Sequence, residues 1–428
     1  MMQYRSYFAA VMSLLVLLAV SVVLMNWLVD PLDVYRVVRK EGFNSIKSAY
    51  IPYARLAKPS QIERGHYQRL GIGSSRMLMG MPVANAAWAK MGEPGFNSGV
   101  QGSDLRSVRD LFEHAVVTSH ATVTSHATGN VKSVLIDVDL FMFNAWVSTG
   151  DYPYPVATLS ETSSQRFVRE RDTALNLLFS PSISLASITT LRRQAEKYDK
   201  VMIDGTTNPE HEMRHVMEDG YELRFQQFED RMVRTGWSPC KDNRYDFALR
   251  KIDTMVYFRD ILQIAKAHHV DVKFFVPPVH VRMLEMMHAA GLSNEFETMK
   301  RKLLAETVAV YGEDMQGVAL WDFSGYNEYA QEKVPQQTGV GMKWYLDSSH
   351  FSQALGHLML DAMYGAPTAD FPLGVQLRPD NIDAVLQTQR EQQAAFQAQH
   401  AKMSQALHKR TEAVLRDKLV NGSACGKQ

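Results

Sequence analysis

The chain reads as an α/β protein with a mainly parallel sheet, and three observations predict it. Short apolar runs recur along the sequence, "RLGIG" at 69–73, "VKSVLIDVDLFMF" at 131–143, "VDVKFFVPP" at 270–278 and "VALWDF" at 318–323. Stretches of helical period lie between them, as from Ile252 to Ala267, where Met255, Phe258, Ile261, Leu262 and Ile264 fall on one broad face. Strands that alternate with helices form parallel sheets, because each helix carries the chain back to start the next strand in the same direction. The third observation is supply: 428 residues, 46% of them hydrophobic, suffice for one or two cores.

The first element is an apolar helix. From Ser6 to Val29 the sequence carries no charge, and about 20 apolar residues in a helix span a bilayer core. Trp27 stands at the far end, where aromatic side chains gather at membrane interfaces. The run is longer than the apolar part of a cleaved signal peptide and ends in "LMNWLVDP" rather than a small-x-small site. Residues 1–30 are therefore expected to remain as a single-pass anchor. Only Arg5 precedes the span, whereas Arg36, Arg39, Lys40 and Lys47 follow it. The positive-inside rule alone would leave the body in the cytoplasm.

Residues 31–62 are mixed and polar and read as a connector. Residues 63–375 form the α/β domain, with a mostly helical insertion around 145–250 that is longer than one crossover needs. The tail, 376–428, is helical and rich in Gln and Ala; Phe396, Met403, Leu407 and Val414 make one narrow apolar stripe, suited to docking on the body or to a short coiled coil. A direct repeat, "VTSHAT", occupies 117–122 and 123–128. It sets His120 and His126 six residues apart in what reads as a Thr/Ser-rich loop, with no carboxylate or cysteine beside them, so a duplicated loop explains them better than a metal site. Formal net charge is zero, which does not recommend nucleic acid as a partner. The two cysteines, Cys240 and Cys425, have no metal-type spacing.

The stretch "GIGSSRMLMG" (71–80) joins the first strand to a helix. A dinucleotide loop would need a third glycine where Arg76 stands, and a P-loop would need a lysine that is absent. The nucleophile elbow G-x-S-x-G fails at Met77. A helix cap and a nucleophilic serine remain. The N–H of a serine at such a junction is unpaired at the positive end of the helix, where it can stabilise an oxyanion. A serine also needs a base. "LDSSHFS" (346–352) supplies Asp347 and His350 in a D-x-x-H frame, although Asp, Ser and Ser before an apolar helix also make an N-cap.

Taken in order, these blocks resemble the SGNH/GDSL hydrolase superfamily, and in particular its membrane-anchored envelope members, in which Gly-Ser-Ser replaces Gly-Asp-Ser. "GFNSGVQGSDLRSVRDLFEHA" (95–115) is similar to the second block, "VKFFVPPVHVRML" (272–284) to the Pro-Pro-x-His strand and turn, and "WDFSGYN" (321–327) to the strand before the last block. The resemblance covers most of residues 1 to about 370. It implies a three-layer domain with Ser75 as nucleophile, His350 as base and Asp347 as the residue orienting the imidazole, Ser74 filling the usual aspartate's place. The N–H groups of Ser75 and Gly102 would form the oxyanion hole. The third block departs from the pattern: Phe141 stands near the usual asparagine, and Asn144 comes three residues late. His280 is expected to be structural.

Family members O-acetylate alginate or move D-alanine onto teichoic acids. The resemblance thus implies an acyl esterase or O-acyltransferase for an envelope or secreted polysaccharide, needing no metal or organic cofactor. A non-catalytic, degenerate scaffold that binds polysaccharide or organises an envelope complex is the other reading, and the missing asparagine favours it. The body would lie outside the inner membrane, against the charge count, because a folding domain is exported whatever charges it holds. The inner membrane is the partner of the first helix, and an envelope protein a partner for the last.

Overall fold

In the computed structural model, which describes residues 2–121, 131–145, 152–153, 155–196, 198–237, 253–365 and 373–421, each apolar run expected as a strand contains one, always shorter than the run. The strands are β1 (Arg69–Ile72), β2 (Gly95–Asn97), β3 (Ser133–Asp137), β4 (Asp271–Val276), β5 (Val318–Asp322) and β6 (Val375–Gln376). The helices are α1 (Met2–Val29), α2 (Ala54–Gly65), α3 (Ser75–Gly80), α4 (Ala86–Ala89), α5 (Leu105–Ala121), α6 (Ser163–Phe179), α7 (Pro181–Arg192), α8 (Pro209–Asp219), α9 (Tyr221–Arg231), α10 (Met255–Ala267), α11 (Val281–Ala289), α12 (Ser293–Tyr311), α13 (Gln353–Tyr364), α14 (Ile382–Gln399) and α15 (Ala401–Asn421).

Two expectations need correction. The run 131–143 is not one strand, because its two aspartates take the chain off the ladder. β3 stops at Asp137, and the Asp139 carboxylate accepts the Leu140 N–H at 2.7 Å to start a 3₁₀ turn over Leu140–Phe143. The first "VTSHAT" copy is not a loop either: α5 runs through it to Ala121. The second copy, with His126, lies outside the described residues, as do Cys240 and Cys425.

The chain divides into two compact units, residues 1–65 with 152–203, and residues 66–151 with 204–428. The helices of 145–250 are shared out accordingly, α6 and α7 to the first unit, α8 and α9 to the second.

In the first unit α1 is long and apolar enough to cross a membrane. Its last turns pack against α6 and α7. There Asn26 Nδ2 donates to Leu178 O at 2.7 Å and Ser184 Oγ at 3.0 Å, and Ser187 Oγ donates to Asn26 Oδ1 at 2.8 Å. A helix leaves its last carbonyls without partners. Here buried Lys47 donates to Val29 O (3.0 Å) and Asp30 O (2.7 Å), and Asn44 donates to Leu28 O and Val29 O. The connector is folded: Asp30 accepts the N–H groups of Val34, Tyr35 and Arg36. Arg36 pairs with Asp33, and Arg39 with Asp33 and Asp199.

The second unit holds the sheet, ordered β2-β1-β3-β4-β5-β6, parallel throughout except for the short β6 on its edge. Side chains alternate between its faces. Phe274 packs on Phe258 of α10, at 4.6 Å between ring centroids, while Phe275 joins Leu135, Met77, Phe323, Phe351 and Leu355 in the other core. The tail stripe docks within this unit: Phe396, Leu407 and Val414 are buried, and α15 packs on α11. Arg410 of α15 clamps α9 through Glu229 (2.8 Å), Asp230 (2.8 Å) and Gln226 O (2.6 Å).

Candidate active site

β1 lies between β2 and β3, so the chain first steps one way across the sheet and then the other. Ligands of open α/β sheets bind beyond the carboxyl ends of the strands at such a switch point. The loops after β1, β2 and β3 all leave the sheet there, and they carry Ser75, Gly102 and Asp137 through Phe141.

Gly73 follows β1 and lies against the side chain of Asp137. A Cβ at this position would stand 1.5 Å from Asp137 Oδ1, which leaves room for glycine alone. Ser74 follows as the N-cap of α3, its Oγ accepting the Arg76 N–H at 3.2 Å. Its own N–H and hydroxyl donate to the two oxygens of Asp137, at 2.8 and 2.5 Å. The first position of α3 thereby falls to Ser75. The loop after β2 is tied to the same place, Ser98 N to Gly71 O at 2.7 Å and Val100 N to Gly73 O at 2.9 Å. It presents Gly102 at φ 70°, a conformation that glycine adopts without strain.

The last block closes the site from far along the chain. Tyr345 and Phe351 form an antiparallel bridge, and Leu346 N donates to His350 O at 2.8 Å. Asp347 Oδ1 accepts the N–H groups of Ser349 (2.8 Å) and His350 (2.9 Å), and Asp347 Oδ2 lies 2.7 Å from His350 Nδ1. His350 Nε2 lies 2.7 Å from Ser75 Oγ. Ser75, His350 and Asp347 are thus one hydrogen-bonded chain. Asp347, Ser348 and Ser349 do not cap α13, because its N-cap is Ser352 at the end of the block and Asp347 serves its own loop. Burial works to raise the Asp347 pKa, but the adjacent His350 and the bonds from its ring, Ser349 N and His350 N outweigh it and hold the carboxyl below the usual range.

A cleft of about 410 Å³ opens onto these groups, a size typical of small-molecule sites. Ser75, Gly102, Asp347 and His350 line it together. Among the described residues, the backbone N–H groups of Ser75 and Gly102 donate to no carbonyl. Phe141 also lines the cleft, near the place expected for a third donor. Asn144 does not: it is buried elsewhere and donates to Gly236 O at 3.2 Å. The opposite wall is α9 with the π-helical turn Met232–Gly236 that extends it. Phe228 of this wall meets the His350 ring edge-on, 4.7 Å between centroids. Glu212, Arg224 and Arg231 also line the cleft, and burial raises the Glu212 pKa. His280 is structural in geometry: it caps α11, lies 2.7 Å from Glu332 O, and burial lowers its pKa to about 4. Among the described residues no group of three or more His, Cys, Asp or Glu is placed to hold a metal ion.

Sequence reasoning missed Arg76 and Asp137. Arg76 is a buried clamp between blocks: its guanidinium pairs with Asp139, and it donates to Ser349 O at 3.2 Å and to Ser349 Oγ. Asp137 is fully buried, and that burial pushes its pKa from 3.8 to about 6 against the lowering bonds from Ser74. Ionisation of Asp137 therefore opposes folding. Its contribution is fully favourable below about pH 4 and is lost as pH rises through about 6. Asp137→Asn escapes that loss. Its melting temperature, taken relative to the parent, is expected to climb between pH 4 and 6 and level off above. A difference that falls over this range would overturn the assignment.

No protein-family model matches the chain, and no curated protein matches it significantly.

Proposed function

We propose that the chain is a membrane-anchored serine acyl esterase or O-acyltransferase of the SGNH type, with a three-layer α/β body, that acts on an envelope or secreted polysaccharide. The observation that carries this reading is the Ser75–His350–Asp347 chain, 2.7 Å at each link, open to a cleft shared with the Ser75 and Gly102 N–H groups. Ser75 Oγ attacks the acyl carbonyl and gives its proton to His350 Nε2, while Asp347 stabilises the imidazolium. The oxyanion forms against the two N–H groups. Collapse breaks the bond to the leaving group, which takes the proton from His350. A sugar hydroxyl or water then loses a proton to His350, attacks the Ser75 ester and carries the acyl group away, and Ser75 recovers its proton. The second reading is a scaffold that binds polysaccharide without turnover. Phe141 favours it, since one missing oxyanion donor costs about 10²–10³ in rate.

In the proposed topology the body lies beyond the inner membrane, in the periplasm. Arg36 and Arg39 after the anchor are ion-paired, and Lys47 is buried in the fold. They are thus parts of a folded unit rather than a loop that sets orientation. The apolar stripe of α15 faces its own body, so an envelope protein partner would meet the opposite, charged face. One experiment tests site and side together. A membrane-impermeant fluorophosphonate added to intact spheroplasts is expected to label the parent chain and not Ser75→Ala. Labelling that needs lysis would overturn the exported body. Labelling that ignores Ser75, or none in a folded sample, would overturn the serine mechanism.

A further inference from the structure

We propose that α6 and α7 lie in the membrane interface, with their outward faces in the lipid of the leaflet next to the body; this rests on reading α1 as a bilayer-spanning anchor. Exposed apolar surface is very unevenly distributed. Among the described residues, Leu223 and Val340 are the exposed large apolar side chains of the second unit; the others all belong to the first. Outside α1 they concentrate on the α6–α7 pair. Phe167 (66% exposed), Leu175 and Phe179 lie on one side of α6, and Leu185 (62%), Ile188 and Leu191 on one side of α7. Water would charge heavily for this surface, and a contiguous apolar face marks contact with a membrane or another protein.

Depth favours lipid. Residues 4–18 of α1 are exposed throughout, and burial begins at Ala19, where the helix enters its packing with α6 and α7. From Ala19 to Val29 the rise is about 16 Å, roughly half of a hydrocarbon core of about 30 Å. With α1 across the bilayer, the helices packed on this part stand at the level of one leaflet and its headgroups. They meet at a bend of 49° at Ser180, and the buried faces of both are spent on α1 and the core of the first unit. Interfacial helices bury their apolar side about 5–10 Å into the boundary of headgroups and acyl chains. Arg171 interrupts the α6 face, exposed and paired with Asp172, and its stem is long enough to reach the headgroups. Arg192 and Arg193 end α7, exposed, where anionic phosphates would meet them.

The test uses the full chain with Cys240→Ser and Cys425→Ser, reconstituted in vesicles of phosphatidylcholine and phosphatidylglycerol. Single spin labels are attached through Phe167→Cys, Leu175→Cys, Leu185→Cys and Ile188→Cys, with Leu17→Cys in α1 and Arg416→Cys in α15 as references. Collision with oxygen reports lipid, and collision with a nickel chelate reports water. The four face labels and Leu17→Cys are expected to show a several-fold higher oxygen-to-nickel ratio than Arg416→Cys. Face labels open to nickel, with Leu17→Cys in lipid, would overturn the interfacial helices and leave the anchor standing. Nickel at Leu17→Cys would overturn the anchor and this inference with it. Low collision with both reagents at the face labels would mean that protein covers them, and would overturn lipid as the occupant.

Discussion

Replacing His350 by alanine is expected to lower kcat on an acyl ester by about 10⁴- to 10⁶-fold while leaving the melting temperature nearly unchanged. In the proposed mechanism the ring takes the Ser75 proton across a 2.7 Å contact, and alanine offers no other base. Folding should tolerate the change because the loop is held by backbone and carboxylate bonds that remain, Leu346 N to His350 O and the two N–H groups on Asp347 Oδ1. Asp347→Asn is expected to cost about 10⁴. The amide oxygen can keep the loop bonds, but an amide nitrogen facing His350 Nδ1 favours the wrong tautomer. The parent carboxyl is held below its usual range and so is ionised at neutral pH, ready for the imidazolium. The residual rate measures what the Ser75 and Gly102 N–H groups contribute alone. Steady-state kinetics beside thermal melts would check this, and a kcat within tenfold of the parent for His350→Ala would end the serine mechanism.

The largest effect on stability is expected from Arg76→Met, about 3–5 kcal/mol by urea unfolding. The Arg76 side chain is 4% exposed and that of its partner Asp139 9% exposed. Methionine fills much of the volume and leaves the carboxylate buried without its cation. Asp137 would suffer as well, since Arg76 is among the groups that lower its pKa. Activity should fall too, because Ser349, next to His350, loses two donors. Arg76→Lys keeps the charge but not the fork, so an intermediate loss is expected. Adding Asp139→Leu to Arg76→Met should recover part of the stability by removing the orphaned charge, but not all of it, because Asp139 also caps Leu140. An Arg76→Met protein as stable as its parent would show that the pair has no such role.

The sheet was legible because buried parallel strands are nearly continuous apolar runs, as "SVLID" and "DVKFFV" are. β2 has three residues, too few to set a period. Ser75 was legible at a strand-to-helix junction, and Asp347 and His350 as a D-x-x-H block before an apolar helix. Phe228, Arg76 and Asp137 were not, because their roles depend on tertiary approach: Arg76 meets Ser349 across 273 positions, and Ser74 meets Asp137 across 63. "SSRM" recorded only that Arg76 spoils a dinucleotide loop, and Asp137 fell in the middle of a run read as one strand. The loop reading of the first "VTSHAT" failed because Thr and Ser can sit in a helix when their hydroxyls bond back a turn, as Thr118 does to His114 O at 2.8 Å.

The Ser74–Asp137 pair has a consequence for substitution at either position. Ser74 supplies a hydroxyl and an N–H, and the acid that accepts both comes from the end of the neighbouring strand. Two acids so close would repel, and two hydroxyls would leave the Ser74 N–H without its anionic acceptor. The pair therefore needs one acid, and neither position alone fixes which residue carries it. Ser74→Asp alone would set two acids together and Asp137→Ser alone would leave none, so the double exchange is expected to melt above either single variant.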